Sequence, residues 1–184
     1  MLNGDTMIHD VVVVAFDMCS SSNIIEDLTR TNNLIVFDRL LKRFHGWLKS
    51  NSRRYNYAIY KFTGDGWILL FPTDGFCGKS LIEFLIALSK QHRNLWKKYL
   101  EDHSESIPEI IGLKFRVETG PVRQIVFDGQ REFVGRALNV ACRLQNSVKD
   151  KGKSPDYRVL LSRVVDRLYD AGVPALFGTV WLWQ

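Results

Sequence analysis

The chain has 184 residues, 46% of them hydrophobic, with a formal net charge of +5 and a pI near 9.2. That apolar content suits one globular domain spanning 1–184, and no apolar run approaches the roughly 18 residues of a membrane-spanning helix. The first residues, with Asp5 and Asp10 and no basic leader, do not read as a secretory signal. Cys19, Cys77 and Cys142 are too few and too scattered for a disulfide framework, which suits a reducing cytoplasm. The positive charge fits an anionic ligand or a polynucleotide. Its spread over Arg39, Lys42, Arg43, Arg53, Arg54, Lys97, Lys98 and 149–153 reads as solvated helix faces and loops, so no nucleic-acid partner is expected.

In chain order, the apolar run 11–16 ending at Asp17 predicts a first strand. Cys19-Ser20-Ser21-Ser22-Asn23 follows, small hydroxyl residues that suit a helix start with free backbone N–H groups. Helical periodicity runs over about 24–30 and again over 33–48, where Leu34, Phe37, Leu40, Leu41, Phe44 and Leu48 share a face. Segments 57–62 and 67–71 are β-rich and flank Thr63-Gly64-Asp65-Gly66, a hairpin signal. A long helix is expected over 78–100, then a polar loop over 101–109. Strands at 113–118 and 122–127 read as a second hairpin around Thr119-Gly120-Pro121. A helix over about 136–149, a charged loop at 149–156 and short β and α segments complete the order. Hairpins interleaved with helices predict an α+β fold, an elaborated ferredoxin-like, mainly antiparallel sheet with helices packed on it.

Three groups of residues in this order carry chemistry. Asp17 ends a strand, Asp65 sits in a hairpin, and Asn139 and Arg143 lie one helical turn apart on one face. Taken singly, each has an ordinary explanation: a helix cap, a turn former, two surface residues. Taken together they suit triphosphate chemistry, since carboxylates hold hard divalent cations and an arginine meets the charge on a transferring phosphoryl group.

These residues resemble the catalytic domain of class III nucleotidyl cyclases. The shared pattern is a strand ending in an Asp, a Gly-Asp hairpin preceded by a base-reading residue, and Gly-x-x-x-Asn-x-x-x-Arg on a helix. Here the pattern is met by Asp17, by Lys61 with Gly64-Asp65, and by Gly135 through Arg143. The resemblance implies two divalent cations, Mg2+ or Mn2+, on Asp17, Asp65 and the Met18 carbonyl. It implies phosphate binding at Ser20, Ser21 and Ser22, ribose orientation by Asn139, and transition-state stabilisation by Arg143. It also implies a homodimer whose active sites each draw on both chains. Two departures stand out: Pro121 replaces a frequent arginine, for which Arg123 is the expected substitute, and no late Lys-Gly segment supplies a phosphate-binding lysine.

Lys61 and Glu132 occupy the family's two base-reading positions, and this pair disfavours GTP by resemblance. A cation beside a carboxylate complements adenine, cytosine or uracil, or the two side chains simply pair with each other. The segment from Tyr60 to Pro72 is similar to the stand-alone pyrimidine cyclases of bacterial Pycsar anti-phage systems. That likeness implies UTP or CTP as substrate and cyclic UMP or cyclic CMP for a separate effector that the cyclase does not bind. An adenylate cyclase using ATP is the alternative, and an inactive cyclase-like nucleotide-binding or dimerisation module is the alternative of another class.

Overall fold

The strand that ends at Asp17 is buried from Val11 to Met18, an unusually long run that only a central strand can sustain. The computed structural model, which describes residues 8–103, 111–143, 157–162 and 180–183, shows why. β1 (Ile8–Met18) lies between β3 (Gly66–Pro72) and β4 (Leu113–Phe127), antiparallel to both. β2 (Ala58–Phe62) pairs with β3 at one edge, and β5 (Gln130–Val134) hangs from β4 as a hairpin. β6 (Tyr157–Ser162) and β7 (Val180–Trp183) extend the other side in parallel, giving the order β2-β3-β1-β4-β6-β7. The architecture is the mainly antiparallel α+β sheet that the sequence predicts.

Strand alternation divides the apolar residues between two layers. Val12, Val14, Phe16 and Met18 face the larger core, beneath α2 (Leu34–Asn51) and α3 (Gly78–Tyr99). Phe16 is held there by Phe44, Trp67 and Phe115, with ring centroids 5.8–5.9 Å away. Val11, Val13 and Ala15 face a smaller core with Ala137, Leu138 and Ala141 of α4 (Arg136–Arg143). Asp17 belongs to this second face, and its neighbours Phe16 and Met18 are pinned in the first. The carboxylate is therefore anchored on both sides along the backbone.

Two expectations need correction. Residues 119–121 are not a turn: they continue β4, because β1 offers partners along its whole length and pairs Thr119 with Val12, Gly120 with Val11 and Pro121 with Asp10. The second hairpin turns instead at Asp128-Gly129, where both residues have positive φ (49° and 77°), as a tight two-residue turn requires. On α2 the buried positions are Val36, Phe37, Leu40, Phe44 and Leu48, while Leu34, in the first turn, is 45% exposed. The expected continuation of α4 to about 149, the loop at 149–156 and the helical segment between β6 and β7 lie outside the described residues.

Candidate active site

The register of the sheet assembles the site. Ala15 of β1 pairs with Ile68 of β3 and Arg116 of β4, and Ile68 pairs with Lys61 of β2. Paired residues share a face, so Lys61, Ile68, Ala15 and Arg116 form one row across four strands, roughly 14 Å from end to end at about 4.8 Å per strand. In the adjoining row Asp17 pairs with Gly66 and Lys114. Asp65, the residue before Gly66, therefore stands beside Asp17. The charge of Asp65 adds, after burial, to the rise in the Asp17 pKa.

Asp17 is not in the solvent-facing position that a metal-binding acid at a strand end suggests. It is 7% exposed, and its Oδ2 accepts a hydrogen bond of 2.9 Å from Arg116 Nη2, whose side chain is itself 1% exposed. Burial raises the Asp17 pKa, and the attraction and hydrogen bond of Arg116, with Lys114 beyond, oppose that rise. Arg116 was not among the site residues expected from sequence. The signal was present in the strict alternation of Leu113, Phe115 and Val117 with Lys114, Arg116 and Glu118, which marks one polar face on a strand. Identifying that face as the one carrying Asp17 requires the register.

The second carboxylate is held differently. Asp65 is partly buried and accepts a 2.5 Å hydrogen bond from Ser21 Oγ. Ser21 opens α1 (Ser21–Arg30), and Ser20 before it adopts a left-handed conformation, φ 56°, that turns the chain from β1 into the helix. The first bond of the helix runs from Ile24 N–H to Ser20 O, leaving the N–H groups of Ser21, Ser22 and Asn23 as the usual N-terminal donors for an anion. Met18 is buried opposite Leu113. As a donor set, two adjoining carboxylates and backbone oxygens are hard ligands, and they fit Mg2+ or Mn2+ chemically.

Lys61 and Glu132 meet each other. Lys61 Nζ lies 3.1 and 3.3 Å from the two Glu132 oxygens, and the Tyr60 hydroxyl also donates to Glu132 Oε2. These bonds hold the Glu132 carboxyl below its usual pKa, the tyrosine bond most strongly. Asn139 and Arg143 are exposed on α4, whose buried residues are Ala137, Leu138 and Ala141, so both project away from the sheet. Arg123 pairs with Ile8 at the far end of β1, nine residues from the Lys114 that pairs with Asp17, or roughly 30 Å along the strand.

No protein-family model matches the chain, and no curated protein matches it in sequence. Solved structures do. The adenylyl cyclase CyaB from P. aeruginosa superposes with a TM-score of 0.67 at 18% identity, covering 90% of this chain and 82% of that one. The guanylyl cyclase Cya2 gives a TM-score of 0.58 at 16% identity over 79% and 74% of the two chains. A class III adenylyl cyclase-like ATP-binding protein from Pseudomonas aeruginosa gives 0.71 at 17% identity, covering 95% of this chain and 37% of that protein. The fold of this chain is that of class III nucleotidyl cyclase domains.

Proposed function

We propose that this chain is a metal-dependent nucleotidyl cyclase, a phosphorus–oxygen lyase that converts a nucleoside triphosphate into a 3′,5′-cyclic nucleotide and pyrophosphate as a homodimer. The observation that carries the reading is the shared face of the sheet, which carries Asp17 with Arg116, the neighbouring Asp65 of the β2–β3 hairpin, and Lys61 with Glu132. That grouping suits a nucleotide on this face, with phosphates at the acids and the base at the Lys61–Glu132 pair.

Asp17 and Asp65, with the Met18 carbonyl, are the groups that would hold two divalent cations. Cations held there would supply charge neutralisation for the triphosphate and a lowered pKa for the 3′-hydroxyl. The α1 N-terminus donates backbone N–H groups to the terminal phosphates, and Ser21 orients Asp65. Arg116, a buried cation against Asp17, balances the charge of the two acids. Asn139 orients the ribose. Arg143 meets the charge that builds on the α-phosphate as the O3′–P bond forms, the bond to pyrophosphate breaks and the 3′-hydroxyl proton passes to solvent. Because Asn139 and Arg143 face away from the sheet of their own chain, they serve the site of a second copy. The exposed Val126, Phe127 and Val134 of the β4–β5 hairpin give such a dimer an apolar contact.

The favoured substrate is UTP or CTP, with cyclic UMP ahead of cyclic CMP, and the favoured biology is second-messenger synthesis in anti-phage defence. This rests on the resemblance at 60–72 and on a cation–carboxylate pair that complements a neighbouring acceptor and donor on the base. Competition among equal ATP, GTP, CTP and UTP with Mn2+ tests it. A dominant cyclic pyrimidine nucleotide is expected, and dominant cyclic AMP would replace the pyrimidine reading with the adenylate cyclase one. A second reading, nucleotide binding without turnover, draws on the Asp17–Arg116 pair, which sets a protein cation against a metal-binding carboxylate. It predicts nucleotide binding and no cyclic product.

A further inference from the structure

We infer that Tyr60 is a positioning residue for base selection, its hydroxyl fixing the Glu132 carboxylate in the orientation in which it meets the base. The inference rests on the base-reading role proposed above for Lys61 and Glu132. Tyr60 lies on β2, the edge strand, and Glu132 on β5, which hangs from β4; β3, β1 and β4 separate them in the sheet. The β4–β5 hairpin curls over the sheet face and brings them together.

The contact is specified at every polar atom. The Tyr60 hydroxyl donates to Glu132 Oε2, with the Phe133 carbonyl oxygen a longer second acceptor at 3.4 Å, and accepts from the Phe133 N–H at 3.1 Å. A phenol hydroxyl filled on both sides is no longer a free rotor. The ring is also fixed, packing edge-on against Phe133 with centroids 5.2 Å apart and planes at 85°. Glu132 Oε2 thus receives Tyr60 and Lys61, at 3.3 Å from the latter, whereas Oε1 receives only Lys61 at 3.1 Å. A carboxylate has about four acceptor positions, so Oε1 keeps the open lone pair. That oxygen and the remaining Lys61 protons form an acceptor beside a donor. Both side chains remain reachable, 28% and 52% exposed. The terminal torsion of a glutamate is broad, and a partner on one oxygen only is what fixes which oxygen faces the ligand. Lys61, which lies almost equally near both, does not make that choice.

Tyr60→Phe removes the hydroxyl and keeps the ring packed edge-on against Phe133. The kcat/KM ratio between the preferred triphosphate and its nearest competitor should fall about tenfold, the lower range for a hydrogen bond to a charged group. KM should change more than kcat, and the effect should vanish in a Glu132→Ala background, because the hydroxyl then has nothing to orient. A merely structural staple would lower the melting temperature and scale all four triphosphates together. Should Tyr60→Phe not fold, Glu132→Asp, which withdraws the carboxylate from the phenol and keeps its charge, carries the same expectation. An unchanged base ratio in Tyr60→Phe, with Glu132→Ala altering it, overturns the positioning role and leaves base reading intact. An unchanged ratio in both variants overturns base reading as well, and a wild-type chain that cyclises no triphosphate overturns the whole.

Discussion

At the level of single residues, Asp17 and Arg116 form a buried ion pair. Breaking a buried ion pair by removing one member typically costs about 3–5 kcal/mol. Asp17→Ala should therefore abolish turnover and also lower the urea midpoint markedly, because Arg116 loses the acceptor at 2.9 Å. Asp65→Ala, at a partly buried hairpin residue held by one serine hydroxyl, should abolish turnover with little loss of stability. Equal stability of the two variants would contradict the burial of the pair. A second buried group makes a pH prediction. His92, 2% exposed beside Phe44, is pushed down to about 4 by burial, with Arg93 adding to the effect. The unfolded chain binds the proton near the ordinary value of 6.5 and the folded chain does not. The stabilisation is full above 6.5 and is lost as pH falls from there toward 4, by roughly 3 kcal/mol at 1.36 kcal/mol per unit. Denaturant midpoints between pH 7.5 and 4.5 should show that slope, and His92→Gln should flatten it.

At the level of elements, the acids meet because β1 and β3 approach closely at Gly66. A Cβ there would lie 1.8 Å from the Phe16 carbonyl oxygen, closer than any contact allows. Gly66→Ala should separate the strands at the site, and both the melting temperature and turnover should drop together; a stable, active variant would contradict this register. The elements themselves were legible from periodicity. The apolar run before Asp17 and the Gly-Asp hairpin announce β1, β2 and β3, and the 3.6-residue spacing announces α2 and α3. Less legible was β4, read as two strands because Gly120-Pro121 looks like a turn in isolation. The long β1 partner overrode that local signal, and the Asp128-Gly129 turn formed instead. Arg116 and Tyr60 escaped notice for a related reason: their roles arise from cross-strand partners 99 and 72 residues away, which no local pattern encodes.

At the level of the whole molecule, the chain presents its site in two halves. Asp17, Asp65 and the Lys61–Glu132 pair lie on the sheet side, and Asn139 and Arg143 point outward from α4. Arg143→Ala should lower kcat by about 100-fold or more with little change in KM, as expected for a group that meets charge only in the transition state. The most direct measurement of the central claim is complementation between two inactive variants, Asp65→Ala and Arg143→Ala. If each site draws its acids from one chain and its arginine from the other, a heterodimer holds one intact site in two. An equal mixture with random pairing should then recover about a quarter of wild-type cyclic nucleotide synthesis. Differently tagged chains that co-purify as a heterodimer yet form no cyclic nucleotide would contradict it.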